Sequence, residues 1–327
     1  MNNRKKLSVI VPMYYEEEVA YEFYNRLKNV VKKIDFNYEI IFVNDGSKDN
    51  TLMILKGIAN EDLNVRIIDF SRNFGHQVAV TAGILNCKGD LAVVIDADLQ
   101  YPPELIIDMI KEWEKGFDVV YAKRKTRKGE SKFKLVTAKY FYKILSNLAD
   151  IDIPKDTGDF RLIDKKVIES FKEMPERNRF IRGMISWVGF KQTFVEYNRD
   201  ERFAGETKYP LKKMIKFATD GIISFSSKPL KVMSSLGILT LVVSFLILLY
   251  SIISKLYGNT SSGWTSIMCV LVFFSGVQLL SLGIIGEYIA RIYDESKNRP
   301  LYLVNEKVNF KQEEKLNEDK SQLVEFI

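Results

Sequence analysis

Short apolar runs alternate with longer amphipathic stretches over the first 122 residues of the chain. The runs near 7–11, 38–44, 65–70, 91–96 and 118–122 read as buried strands. The stretches near 17–34, 50–60, 76–86 and 103–115 read as helices. Regular strand–helix alternation predicts an α/β fold, a mostly parallel sheet with helices on both faces. Beyond residue 122 the pattern changes. A basic run, Lys123 to Lys128, leads to a predicted helix over 133–148 and a loop from Pro154 to Asp159. One further strand is predicted from Gln192 to Tyr197.

The last third is patterned differently again. Apolar positions at Leu211, Met214, Ile215, Ala218, Ile222 and Phe225 have helical spacing, with lysines between them. A helix packed on the soluble domain would show the same stripe. The spanning segment that follows favours an interfacial helix lying among lipid headgroups. Val232 to Ser254 carries no charge, and neither does Leu256 to Gly286, whose apolar part starts near Ile267. Each can cross a hydrocarbon core of about 30 Å. The predicted organisation is a sheet domain over 1–210 and an amphipathic helix and junction over 211–230. A hairpin over 231–290 follows, with spans at about 232–254 and 266–288, and then a tail over 291–327. From Asn305 the tail is charge-rich and poor in aromatics, and is expected to be weakly ordered.

Charge sharpens the picture. The 327 residues carry a net charge of +6. No nucleic-acid motif accompanies that charge, so nucleic acid is not an expected partner. Lys208, Lys212, Lys213, Lys216, Lys228 and Lys231 cluster before the first span, with Asp220 the one acid among them. Arg291, Lys297 and Arg299 follow the second span, and Lys255 alone marks the connection. The positive-inside rule then places both flanks in the cytoplasm and Tyr257 to Thr265 outside. The chain is expected in the cytoplasmic membrane, with its sheet domain on the cytoplasmic side. The two cysteines, Cys87 and Cys269, fall in different parts of the chain and make no plausible structural disulfide. After Arg4, Lys5 and Lys6 the apolar run ends at Pro12, too early for a cleavable leader.

The chemistry gathers where strands end. The run Leu91 to Ile95 stops at Asp96 and Asp98, in Asp-Ala-Asp-Leu-Gln-Tyr-Pro-Pro. Ligands of open α/β sheets bind at the carboxyl ends of strands. Two carboxylates meet there at little cost only with a positive group between them. A hard divalent cation shared with a diphosphate suits that need. The strand ending at Asp45 is followed by a turn at Gly46 and Ser47. The first strand ends at Pro12, before Tyr14 and Glu16. One sheet edge thus gathers Glu16, Asp45, Asp96 and Asp98, an arrangement suited to a nucleoside diphosphate.

Six segments, VIVPMYYEEE, IIFVNDGSKDNT, SRNFGHQVAVTAG, VVIDADLQYPPE, DTGDFRLID and RFAGETKYPLKKM, occur in that order. Together they resemble glycosyltransferase family 2, most of all its polyprenyl-phosphate glycosyltransferases, over about residues 7 to 300. The resemblance implies a GT-A type fold and inverting transfer of a monosaccharide from a nucleotide sugar, a UDP-sugar first, to polyprenyl phosphate. Glucose is the first expectation, with N-acetylglucosamine, galactose, mannose and amino sugars as alternatives. It implies donor contacts at Pro12, Tyr14, Glu16, Asp45, Asp96 and Gln100, and a Mg²⁺ or Mn²⁺ ion at Asp96 and Asp98. Of the pair, Asp98 is favoured as the direct ligand. The acceptor phosphate would fall to Arg124, Arg127 and Arg161, whose planar forks suit phosphate oxygens. Arg124, Asp159 and Arg161 carry the implied catalytic roles. Asp159 matches an acid near the acceptor, or else orients Arg161. Arg202 and Lys208 would close over the diphosphate as a loop. A homo-oligomer is a further implication.

One position departs from the family, which usually has Asn where this chain has Tyr15. The sole histidine, His76, stands at a predicted helix start. It is as readily a structural hydrogen-bonding residue as a catalytic one, and no catalytic role is assigned to it. Processive polysaccharide synthases are a rival class. They carry a Gln-x-x-Arg-Trp motif and more spans, and Trp113, Trp187 and Trp264 have no such context. A non-catalytic scaffold that binds the lipid carrier is the other rival. The intact acids Asp45, Asp96 and Asp98, with Arg161, argue against it.

Overall fold

A computed structural model describes residues 4–125, 157–197, 226–257 and 263–310. The chain divides into two units, a sheet domain that includes residues 300–310 and a helical unit that includes 226–299.

The sheet domain opens with β1 (Lys6–Met13), α1 (Ala20–Val31), β2 (Asn37–Asn44), α2 (Thr51–Glu61) and β3 (Val65–Phe70). It continues with α3 (His76–Asn86), β4 (Leu91–Val94), α4 (Leu105–Glu114) and β5 (Val119–Arg124). Then come β6 (Thr157–Asp164), α5 (Lys165–Glu173), α6 (Ile181–Trp187) and β7 (Gln192–Tyr197). The eight-stranded order is β7-β5-β6-β4-β1-β2-β3-β8, where β8 is Val304–Val308. Strands β4, β1, β2 and β3 run parallel, and β7 lies parallel to β5. β6 and β8 pair antiparallel with their neighbours.

Strand β1 shows why the pattern specifies the fold. Every residue from Leu7 to Met13 is buried, as a central parallel strand requires. Leu7, Val9, Val11 and Met13 join the core with Phe23, Leu27 and Val30 of α1. Ile10 faces the other way, and a Cβ on Gly83 of α3 would meet its side chain at 2.2 Å. Alternate residues of one strand thus bury two helical layers. The core face of α1, Ala20, Phe23, Tyr24, Leu27, Val30 and Val31, has helical spacing throughout.

The amino edge of the sheet is closed by charge. Glu39 is 1% exposed, with Arg66 Nη1 at 2.9 Å and Lys6 Nζ at 3.0 Å from its Oε2. Its Oε1 accepts from Ser8 Oγ at 2.5 Å and from Lys88 N at 2.8 Å.

The end of the chain corrects one expectation. Residues 304–310 are not a loose tail. β8 pairs with β3, which would otherwise be the edge. Asn309 Nδ2 donates to Ala59 O and Val65 O at 2.8 Å each. Asn305 Nδ2 donates to Asp69 Oδ2 at 2.8 Å, and Tyr302 stacks on Phe70 with ring centroids 4.9 Å apart. The sheet domain therefore does not stop at residue 210.

The second unit contains α7 (Lys228–Leu256) and α8 (Trp264–Ser296), both long and apolar enough to cross a membrane. Leu241 is 72% exposed and Leu279 69%. A soluble core helix would bury such residues, so these faces suit hydrocarbon. Tyr288 OH donates to Ser226 O at 2.7 Å. The predicted helix over 133–148 and interfacial helix over 211–226 lie, but for Ser226, outside the described residues, as do Arg127, Arg202 and Lys208.

Candidate active site

The carboxyl ends of β1, β2 and β4 lie side by side, with β1 between the other two. Three loops meet there. Tyr15 N donates to Ser47 Oγ at 3.1 Å, and Glu16 N to Thr51 Oγ1 at 3.0 Å, so the loop after β1 is held to the loop after β2. Pro12 is buried in β1, while Tyr14 and Tyr15 are about two-fifths exposed (40% and 41%). Tyr15, the departure from the family, has a φ of 56°.

Asp45 follows β2 and is 3% exposed. Its Oδ1 accepts from Phe74 N at 2.6 Å, and its Oδ2 from Gly75 N and Asn73 Nδ2 at 2.9 Å each. Burial raises its pKa, against the opposing pull of the Phe74 and Gly75 amides. Gly46 lets the loops approach, because a Cβ there would sit 2.4 Å from the Arg72 carbonyl carbon.

After β4 the chain turns sharply. Asp98 Oδ1 accepts from Gln100 N at 3.1 Å, an Asx turn, and Leu99 takes a φ of 57°. Gln100 is 8% exposed. Asp96 Oδ1 is a buried oxygen with no hydrogen-bond partner. Burial raises the Asp96 pKa to about 6, with Asp159 and Asp98 adding to the rise and His76 opposing it.

Asp159 in β6 is the hub of the site. Arg182 Nε donates to its Oδ1 at 2.9 Å and Arg182 Nη2 to its Oδ2 at 3.1 Å. His76 Nε2 lies 3.3 Å from Asp159 Oδ2 and 3.7 Å from Asp96 Oδ1. Burial works against ionisation of Asp159. Arg182 and His76 overcome it and hold the pKa well below the usual carboxylate range. Burial likewise opposes protonation of His76, yet Asp96 and Asp159 raise its pKa to about 9.

Arg161 is 1% exposed. Its Nη2 donates to Gly158 O at 3.0 Å and to Asp159 Oδ1 at 3.2 Å, and its Nη1 is buried with no hydrogen-bond partner. Arg124 stands at the end of β5, in register with Tyr197 of β7. The structure thus brings Asp96, Asp159 and Arg161 together and adds two residues that sequence reasoning did not assign. His76 carried an ambiguous signal. Arg182 sits in Arg177-Asn-Arg-Phe-Ile-Arg, a basic run with no motif of its own.

A hard cation fits this edge. The unpartnered oxygen of Asp96 and the carboxylate of Asp98 are the oxygen donors such an ion takes. Among the described residues no three His, Cys, Asp or Glu side chains are grouped to enclose a metal.

Comparison with known proteins identifies the family. Residues 8–171 match the description "Glycosyl transferase family 2", and residues 228–292 match "GtrB C-terminal hairpin". The chain belongs to glycosyltransferase family 2, and its sheet domain is of the GT-A type. It is 56% identical to "Uncharacterized glycosyltransferase YkcC" of Bacillus subtilis (strain 168), over 93% of this chain and 94% of that one. It is 42% identical to "Bactoprenol glucosyl transferase" of Shigella phage SfV, over 92% of this chain and 99% of that one. It is 40% identical to "Prophage bactoprenol glucosyl transferase homolog" of Escherichia coli (strain K12), over 91% and 98%.

Proposed function

We propose that this glycosyltransferase moves glucose from UDP-glucose to undecaprenyl phosphate, with inversion, at the cytoplasmic face of the membrane. The observation that carries the reading is one chain that joins the carboxylate-lined edge to a hairpin of the GtrB kind. Its similarity to bactoprenol glucosyl transferases over nine-tenths of its length (92% for one of them) supports glucose and the lipid acceptor.

In this reading Asp45, Pro12, Tyr14 and Glu16 hold the nucleoside. Asp96 and Asp98, with Gln100 beside them, hold a Mg²⁺ or Mn²⁺ ion. When bound, that ion neutralises the charge that develops on the departing diphosphate. Arg202 and Lys208, outside the described residues, are assigned to the same group by the resemblance alone. The acceptor is a phosphate monoester that already carries most of two negative charges. It needs alignment more than a base. Arg124 and Arg127 grip its oxygens. Arg161, expected at the acceptor phosphate, is 1% exposed and bonded to Gly158 O and Asp159 Oδ1 in β6, and in this reading it braces Asp159 beside the acceptor. In-line attack from the face opposite the diphosphate inverts the anomeric centre. The hairpin holds the enzyme at the bilayer, and the basic, amphipathic sequence over 211–226 suits the headgroups beside it. The positive flanks support a hairpin with both ends inside, and a homo-oligomer belongs to this reading by family resemblance alone.

The test is purified full-length chain in lipid nanodiscs, undecaprenyl phosphate, Mn²⁺ and a panel of UDP-glucose, UDP-N-acetylglucosamine, UDP-galactose and GDP-mannose. The expected product is β-glucosyl undecaprenyl phosphate, identified by mass spectrometry and NMR. Transfer of a different sugar overturns the glucose assignment, and an α-linked product overturns in-line displacement.

A further inference from the structure

The structure assigns a second task to the loop 73–76, resting on the donor and acceptor sites proposed above. We propose that His76 is a positioning residue that ties the nucleoside end of the donor site to Asp159 at the acceptor end.

The connection is short and continuous. Asp45 grips the loop through Asn73, Phe74 and Gly75, three donors on one carboxylate. The next residue is His76, whose Nε2 reaches Asp159 Oδ2 at 3.3 Å. The last of the three donors, Gly75, has a φ of 101°. A side chain there would be strained, so the loop can hold this path only with glycine. The far side is fixed equally well. Arg182 holds both oxygens of Asp159, and Gln77 Oε1 accepts from Ile181 N at 3.0 Å. The first turns of α3 and α6 are therefore tied to each other, and Asp159 sits between them.

The carboxylate assigned to the nucleoside is thus already occupied by the loop that carries His76. A base that donates a hydrogen bond to Asp45 must share it with three existing donors, or displace one. Either event changes the pull on Phe74 and Gly75. Gly75 is joined directly to the residue that makes the contact with Asp159. Nucleotide binding would then set the position of the acid beside the acceptor. Coupling of this kind is reciprocal, and its usual size is about 5-fold to 150-fold in affinity.

The experiment measures both ligands on the full-length chain in nanodiscs. Affinity for UDP with Mn²⁺ and affinity for undecaprenyl phosphate are determined alone and together by calorimetry. The native chain is expected to bind the lipid phosphate about 5-fold or more tightly when UDP is present. In His76→Ala that factor should fall to near one, with UDP affinity within about 3-fold of native. His76→Gln, whose amide can still donate to Asp159, should recover much of the coupling, which a loss of folding could not explain. Native coupling that persists in His76→Ala overturns the inference. So does a native chain that binds both ligands without coupling. A native chain that binds neither overturns the functional reading itself.

Discussion

The two edges of the sheet treat buried charge in opposite ways. At the amino edge, Oε2 of Glu39 has two cations within 3.0 Å, and Ser8 and Lys88 complete the other oxygen. At the carboxyl edge, Oδ1 of Asp96 has no hydrogen-bond partner, and His76 stands 3.7 Å away. Arg161 Nη1, on the guanidinium bonded to Asp159, is likewise buried with no hydrogen-bond partner. Both edges concentrate acids and bases. At the first edge Glu39 Oε2 and Arg66 Nη1 make no hydrogen bond of good geometry either, but the charges meet in direct ion pairs at 2.9 and 3.0 Å. At the second, Asp96 Oδ1 has no hydrogen bond and its ion pair with His76 is longer, and a buried polar atom without a partner is costly enough to need a reason. A buried acid with no close counter-charge marks a candidate site more sharply than charge density does.

That contrast can be broken by substitution. The largest effect is expected at Asp98→Asn, where kcat should fall by about 10²-fold to 10³-fold with little change in melting temperature. Chelation of divalent cations from the native enzyme should have an effect of similar size. Full turnover in excess chelator would remove the ion from the account. Asp159→Asn should cost about 10²-fold in kcat/KM for the lipid acceptor and spare UDP binding. An unchanged acceptor profile would leave Asp159 a purely structural residue.

Glu39→Ala should behave in the reverse sense. It removes the carboxylate that faces Lys6 and the buried Arg66, and should destabilise the sheet domain by about 3 kcal/mol. Turnover per folded molecule should stay near native. A large loss of kcat without a loss of stability would erase the distinction between the edges. Asn309→Ala removes two hydrogen bonds from the end of β8 and should cost about 1 kcal/mol, read by denaturant titration. The smallest effect concerns Cys87. Burial pushes its pKa up to about 12, so at pH 8 the folded chain holds it as the unreactive thiol. Peptide mapping after iodoacetamide treatment should find Cys87 modified only in denatured protein.

Much of this was legible in the chain, for a physical reason. Central parallel strands are buried on both faces, so β1 to β4 stand out as apolar runs, and the buried first half of β5 does the same. Asp45, Asp96 and Asp98 could be placed because each follows such a run. β6 was harder to read. Asp159, Arg161 and Asp164 interrupt its apolar residues, and its first residues read as loop. β8 was missed because Val-Asn-Glu-Lys-Val is mostly polar and exposed. It is held by edge pairing and by the amides of Asn305 and Asn309, which leave no hydrophobic period. Arg182 lies in a helix of seven residues, too short for periodicity to show. The role of His76 depends on Asp159, distant in sequence and adjacent only in the fold.

The β8 strand has a consequence for how the chain can be threaded. The same sheet takes strands from before and after α7 and α8. A sheet can be completed only within one compartment. Any path between β7 and β8 that enters a bilayer must return to the side from which it left. The number of crossings is therefore even, whatever the flanking charges, and a mutant that left one helix uninserted would have to give up its last strand.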